Sequence, residues 1–525
     1  MMSSVWHAGP IERVYMSANQ NTVTPIESAT DMLLRGRPVW GSFIGGQFEE
    51  VEGSRSFEVL EAATGRPMAR VVDATDEIVH RAVSDSRRAY EDGWRYLSPK
   101  ERGALMREVA QRIRDHADEL AELVAREVGK PRRDALKVDV VSSHSSFDYY
   151  AGIADTVHGE ILDQGPIEAR IAYEPYGVVA AILPFNWPPI HFSKKCAPAI
   201  AVGNTVVIKP GEQAPLTVLR LVEIANEVLP PGVINAVSGI SAGAALASHP
   251  RVERISFTGS TVTGRKVMVS AAKNLTFATL ELGGKNALIV LEDANLDDAI
   301  AIAIEGMFYN QGEACTSTSR ILVHSSIYDE FARRFVERTR SLVIGDPLDP
   351  KTDIGPMVDA RQQERVQGYA KLGVEEGAKL LYQGSVSLAA EFSEGFYVAP
   401  CVLGDVTADM SVAREEIFGP VACLMRFETD DQAVAVANST EYGLTAAICT
   451  GDEVRASRLA QRLEVGMVFV NNYTRRTFIG SPFGGVKGSG YGREYGAETL
   501  HEFVRAKNVR FPSGRGSIPG WPPPS

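Results

Sequence analysis

The hydrophobic pattern divides the chain into a helical opening and two longer blocks in which short apolar runs alternate with helical ones. From "TDEIVHRAVSDSRRAYED" through "LMREVAQRIRDHADELAELVAREVG", apolar residues recur every three to four positions. That is the spacing of amphipathic helices, and Gly129 with Pro131 ends the second of them. After "IEARIAYEPYG" the period shortens. "GVVAAILPF", "NTVVIKP", "GVINAVSG" and "RISFTGS" read as buried strands, and "LTVLRLVEIANEVL", "AGAALASH" and "TVTGRKVMVSAAKN" as the helices between them. This alternation predicts a parallel, doubly wound α/β sheet. A second block runs from "NALIVLEDANLDDAIAIAIEGMFYNQ" to "GMVFVNN", so a second α/β domain is expected to begin near Gly283 and Gly284. Residues 1 to about 40 lack periodicity and read as an extension, and "PSGRGSIPGWPPPS" is too rich in Pro, Gly and Ser for regular structure.

A length of 525 residues exceeds what one core usually supports, so two or three domains are expected. With 54 basic and 66 acidic side chains the net charge is -12, which disfavours non-specific attraction to nucleic acid or anionic membrane. The five cysteines, Cys196, Cys315, Cys401, Cys423 and Cys449, are scattered, with no C-x-x-C pair and no metal-ligand spacing to histidine. They suggest a reduced, cytoplasmic chain that binds no metal. The N-terminus has neither a basic leader nor an apolar core segment, and no window is long and apolar enough to span a membrane.

Four stretches carry candidate chemistry. In "FTGSTVTGRKV" a strand ends, Gly259 allows a tight turn, and Ser260 or Thr261 caps a helix whose free N–H groups form an anion site. Arg265 after Gly264 rules out a Walker A loop, and G-x-G-x-x-G is absent from the chain. The same stretch also reads as an ordinary capped helix. "GISAG" matches the G-x-S-x-G nucleophile elbow between a strand and a helix, which makes Ser241 a candidate hydrolase nucleophile, although neither His324 nor His501 has a triad context. In "TLELGGKN", Glu281 ends an apolar run before two glycines that let the backbone turn sharply, holding its carboxylate at an edge. One strand and one helix later, "FYNQGEACTSTSR" places Cys315 among small, polar, turn-prone residues, where a core-filling side chain gains little. Cys315 reads either as a small hydrophobe or as a nucleophile with Glu281 as its base.

Seven segments in order, "PFNWPP", "GNTVVIKPGEQAP", "ISFTGSTVTGR", "LELGGKN", "NQGEACTSTSR", "EEIFGP" and "SPFGGVKGSGYGRE", resemble the successive signatures of the aldehyde dehydrogenase superfamily, from about residue 40 to 510. The resemblance implies a Rossmann-like NAD-binding domain over 41–156 and 174–282, a catalytic domain over 283–485, and a small β oligomerisation element from 157–173 and 486–512. Residues 1–40 are then the extension and 513–525 a flexible tail. A homodimer or homotetramer follows from the same likeness. The implied reaction is attack of the Cys315 thiolate on an aldehyde, with the oxyanion held by the Asn186 amide and the Cys315 backbone N–H. Hydride transfer to NAD leaves a thioester, which water activated by Glu281 hydrolyses. Retention of Glu281 argues against the acylating members, which use coenzyme A.

For the cofactor, the resemblance sets Lys209 and Glu212 at the adenosine ribose, Ser260 at the pyrophosphate, Glu416 at the nicotinamide ribose and Phe418 near the ring. A carboxylate at the ribose suits NAD over NADP, with Lys209 partly offsetting it. Two features depart from the family pattern. Glu313 stands where many relatives carry an amide, putting a negative charge two residues from the nucleophile that raises its pKa. The loop "SGISAG" is shorter than its counterparts, which bears on the pyrophosphate contacts.

"NWPPIHFSKK" and "NNYTRRTFIGSPF" are expected to line the substrate tunnel. Lys194 stands where relatives often have an aromatic residue and where those acting on succinic semialdehyde place a cation, and Arg475 and Arg476 lie in the opposing loop. An anionic aldehyde is one expectation, with surface or subunit contacts of these side chains as the alternative. Trp187, His191, Phe478 and Phe483 suit an aromatic aldehyde equally. A serine hydrolase using Ser241, or a non-catalytic protein that keeps the fold, are the other two classes of function.

Overall fold

The computed structural model describes Leu34 and residues 36–49, 55–474, 478–518 and 520. Most of the expected extension falls outside these residues, as do the ends of the tail and both Arg475 and Arg476.

The first alternating block forms β1 (Val178–Ile182), α1 (Pro188–Ala201), β2 (Thr205–Lys209), α2 (Leu216–Asn226), β3 (Ile234–Ala236), α3 (Ala242–Ala247), β4 (Arg254–Thr258), α4 (Thr261–Ala272) and β5 (Phe277–Glu281). Every residue of β1 to β4 is buried, the polar Thr205, Lys209, Asn235, Arg254, Ser256 and Thr258 included: both faces of these strands are covered. The parallel order is β5-β4-β1-β2-β3. Phe43–Ile44 and Gln47–Phe48 extend one edge, and Gly490–Tyr491 the other, all antiparallel. The chain winds from β1 outward through β3 and returns on the other side at β4. The order therefore reverses between β1 and β4, and a crevice opens at their carboxyl ends.

The second block builds β6 (Ala287–Val290), α5 (Leu296–Phe308), β7 (Arg320–His324), β8 (Cys401–Gly404), β9 (Val421–Phe427), β10 (Thr445–Cys449) and β11 (Met467–Val470). They form a parallel sheet in the order β8-β9-β7-β6-β10-β11, with Lys379–Gln383 antiparallel at the edge. A single turn, residues 282–286, carries the chain from the end of β5 in the first sheet to the start of β6 in the second. A separate three-stranded antiparallel sheet joins Glu160–Gln164, Ile167–Pro175 and Val504–Pro512.

The opening helices are Asp76–Asp92, capped by Thr75, then Pro99–Asp115 and Ala117–Val128. The run "LMREVAQRIRDHADELAELVAREVG" is thus broken at His116 (φ -104°, ψ 17°), whose Nδ1 meets Glu119 Oε2 at 2.8 Å. Gly129, at φ 86°, closes the last helix as expected. Helix α1 went unread because all fourteen of its residues are buried, so it has no polar face to give it a period.

Candidate active site

Four of the five cysteines are buried, and burial pushes the thiols of Cys401 and Cys449 up to about 12, so they are inert. Cys315 is the partly exposed one. The turn that delivers it holds Asn310, Gln311 and Gly312 at φ of 53°, 56° and 76°. Two successive non-glycine residues in the left-handed region cost on the order of 1–3 kcal/mol each, and surrounding bonds hold them there. Asn310 Nδ2 donates to Asn186 O (3.2 Å) and Glu313 O (3.0 Å), Asn286 Nδ2 donates to Cys315 O (2.8 Å) and Ser317 O (2.9 Å), and the Tyr473 hydroxyl donates to Thr316 O.

Glu281 reaches the same place from the other sheet. It is the last residue of β5, and Gly283 and Gly284 follow because nothing larger fits. A Cβ on Gly283 lies 2.3 Å from Glu416 Oε2, and one on Gly284 lies 2.6 Å from the Cys315 carbonyl oxygen. The carboxyl of Glu281 is buried, and neither oxygen finds a hydrogen bond among the described residues. Burial, and then the neighbouring Glu494, raise it well above the usual carboxylate range.

Asn186 precedes α1 and is 3% exposed. Its Nδ2 donates to the Glu313 carbonyl at 3.0 Å and its Oδ1 lies 3.1 Å from His191 Nε2. The carbonyl fixes which end of the amide is nitrogen, and Oδ1 then requires the proton on Nε2 of His191. Burial, reinforced by Lys194, Lys195 and Lys130, holds that imidazole neutral. Lys130, paired with Asp139 at 2.7 Å, sits 3.5 Å from the centre of the Trp187 ring and steadies this turn from beneath.

A cavity of about 420 Å³ opens onto Cys315. Trp187, Phe469, Tyr473, Phe478, Phe483 and Tyr495 give it an aromatic wall, with His191 and Lys194 on the α1 side. The Lys194 ammonium is not presented to the cavity as a free charge: it forms an ion pair with Glu494 Oε2 at 2.6 Å, and Lys195 holds Oε1 at 2.8 Å. A second cavity of about 340 Å³ fills the crevice predicted by the strand order, lined by Ile182, Leu183 and Pro184 after β1 and by Thr258, Gly259 and Ser260 after β4. Lys209 and Glu212 line it too and pair with each other. Ser260 caps α4 by accepting from Thr263 N–H. Glu416 accepts from Gly284 N–H at 3.0 Å, and burial pushes it up to about 7. Phe418 (φ 62°) packs edge-on against Phe185 at 5.9 Å.

Two expectations need correction, and a third gains detail. Glu313 is fully buried, one oxygen accepts from Val358 N–H at 3.2 Å, and desolvation raises it well above the carboxylate range, which disfavours the charge expected beside the nucleophile. Ser241 is not a nucleophile elbow. Its φ of -84° and ψ of -19° are those of an ordinary helix start, and no histidine contacts it among the described residues. Lys194 lines the cavity, and its pairing with Glu494 tempers the pull on an anionic substrate that was expected of it. Sequence reasoning passed over Glu494, Lys195, Lys130 and Asn310. Glu494, Lys195 and Asn310 lay within the quoted "SPFGGVKGSGYGRE", "NWPPIHFSKK" and "FYNQGEACTSTSR" without being singled out; nothing local marked Lys130.

Residues 48–509 match the model of the aldehyde dehydrogenase family. The chain is 46% identical over 472 residues to aldehyde dehydrogenase citD of Monascus ruber, covering 90% of this chain and 94% of the relative. It is 43% identical to an aldehyde dehydrogenase of Didymella fabae, covering 91% and 97%. Among solved structures, betaine aldehyde dehydrogenase of Staphylococcus aureus in complex with NAD+ superposes with a TM-score of 0.90 at 33% identity, covering 94% of this chain and 99% of that one. The chain belongs to the aldehyde dehydrogenase family.

Proposed function

We propose that the protein oxidises an apolar, ring-bearing aldehyde to its carboxylic acid with NAD, using Cys315 as nucleophile, Asn186 as oxyanion donor and Glu281 as base. The observation that carries this reading is that Cys315, the partly exposed cysteine at the aromatic cavity, has its backbone carbonyl held by Asn286 against the turn that follows Glu281. The Cys315 sulfur adds to the carbonyl carbon, and the second Nδ2 N–H of Asn186 meets the oxygen as charge develops on it. NAD, when bound, supplies the hydride acceptor. Glu281 then takes a proton from the water that attacks the resulting thioester, and Cys315 departs as thiolate.

The crevice fits NAD. The helix end at Ser260 offers backbone N–H groups to a pyrophosphate, and the buried Thr258 hydroxyl has no hydrogen-bond partner among the described residues. Glu212 suits a ribose diol and repels a 2′-phosphate. Glu212→Gln is therefore expected to raise NADP use relative to NAD about tenfold, read as the ratio of the two kcat/KM values. Glu416 and Phe418 would hold the nicotinamide end.

With Lys194 paired internally, the aromatic wall decides selectivity. The reading is tested by the absorbance of NADH formed with benzaldehyde and with succinic semialdehyde. The expected kcat/KM is at least about tenfold higher for benzaldehyde, in line with burial of a ring; equal values, or preference for the anion, would overturn the substrate class. The separate three-stranded sheet is the proposed joining element of a dimer or tetramer, supported by its exposed Ile161, Leu162, Val509 and Phe511.

A further inference from the structure

Glu281 must become a carboxylate to activate water, yet it is buried and no hydrogen bond compensates among the described residues. The charged groups that face it come from three elements. Lys194 and Lys195 project from α1, Arg493 and Glu494 from the segment after Tyr491, and Cys315 reaches Lys194 from the loop before β7. Arg493 is engaged with backbone, donating to the carbonyls of Gly485 (2.9 Å) and Gly492 (2.6 Å). Glu494, faced also by Tyr150 from helix Val141–Ile153, is held between two ammonium groups. Lys195 Nζ donates to Glu494 Oε1 at 2.8 Å and to Ser256 Oγ at 3.0 Å and is thereby fixed, while Oε2 is met by Lys194. One carboxylate between two cations leaves a net charge of plus one beside Glu281, and Lys194 is the cation nearer the cavity.

We propose that Lys194 is a positioning residue for the hydrolytic half of the reaction: its surplus positive charge lets Glu281 ionise inside the protein and sets the lower pH limit of thioester hydrolysis. This rests on the roles of Cys315 and Glu281 proposed above. When Glu281 is ionised, Lys194, Lys195 and Arg493 stand against Glu494 and Glu281, a sum of plus one. Without Lys194 that sum falls to zero in a desolvated setting, so ionisation waits for a higher pH.

The test uses the full chain with NAD and benzaldehyde, follows the benzoyl adduct on Cys315 by intact-mass measurement, and times its decay across a pH series. In Lys194→Met, and in Lys194→Gln as a second neutral variant, the adduct is expected to form. Its decay on the acid side should be about tenfold slower, with the acid limb moved up by about one pH unit, and Lys194→Arg should restore the limb. An adduct that forms and decays with an unchanged acid limb in the neutral variants overturns the role of Lys194 alone. A wild-type protein that forms no adduct on Cys315 while oxidising benzaldehyde overturns the underlying mechanism as well.

Discussion

Cys315→Ala is expected to abolish aldehyde-dependent NADH formation, with a loss of at least about 10⁴-fold in kcat, because no other group at the cavity can form the covalent intermediate. The remaining thiols are buried, and burial raises those of Cys196 and Cys423 as well. The substitution removes one sulfur from a partly exposed position, so thermal stability should change by no more than about 0.5 kcal/mol. Binding of NAD, followed by fluorescence quenching, should persist, since the crevice between β1 and β4 is built from other segments. Substantial turnover in this variant would refute the assignment of the nucleophile.

Glu281→Gln separates the two halves of the reaction. The first turnover should still release NADH and leave an acyl group on Cys315, while steady-state turnover falls about 10²–10⁴-fold because water lacks its base. Rapid mixing with quenched-flow analysis distinguishes this from simple inactivation, and a variant with neither burst nor acyl adduct would speak against Glu281 acting after acylation. The same substitution has a signature in stability. A carboxyl raised above its unfolded value stabilises the fold fully at pH below that value, and this contribution is lost as pH rises through the raised one. Glutamine carries no such liability, so the melting temperature of Glu281→Gln relative to wild type should climb as the pH is taken upward.

The doubly wound sheet was legible because β1 to β4 are short and rich in Val, Ile and Ala, and alternate with helical runs. The site was legible in its motifs but not in its partnerships. Cys315 stood out because its neighbours are poor core residues, and Glu281 because two glycines followed it. Nothing in one dimension pairs Lys194 with a carboxylate 300 positions away, or shows that Glu313 turns toward Val358 instead of the thiol. Helix α1 was opaque for the opposite reason to a loop: burial on all sides erased the periodicity by which amphipathic helices are found.

The paired glycines between the sheets bring two distant segments onto one short stretch of backbone. A side chain at Gly283 would meet the Glu416 carboxyl and one at Gly284 the carbonyl of Cys315, so a substitution at either position would disturb a segment more than thirty places away in the chain.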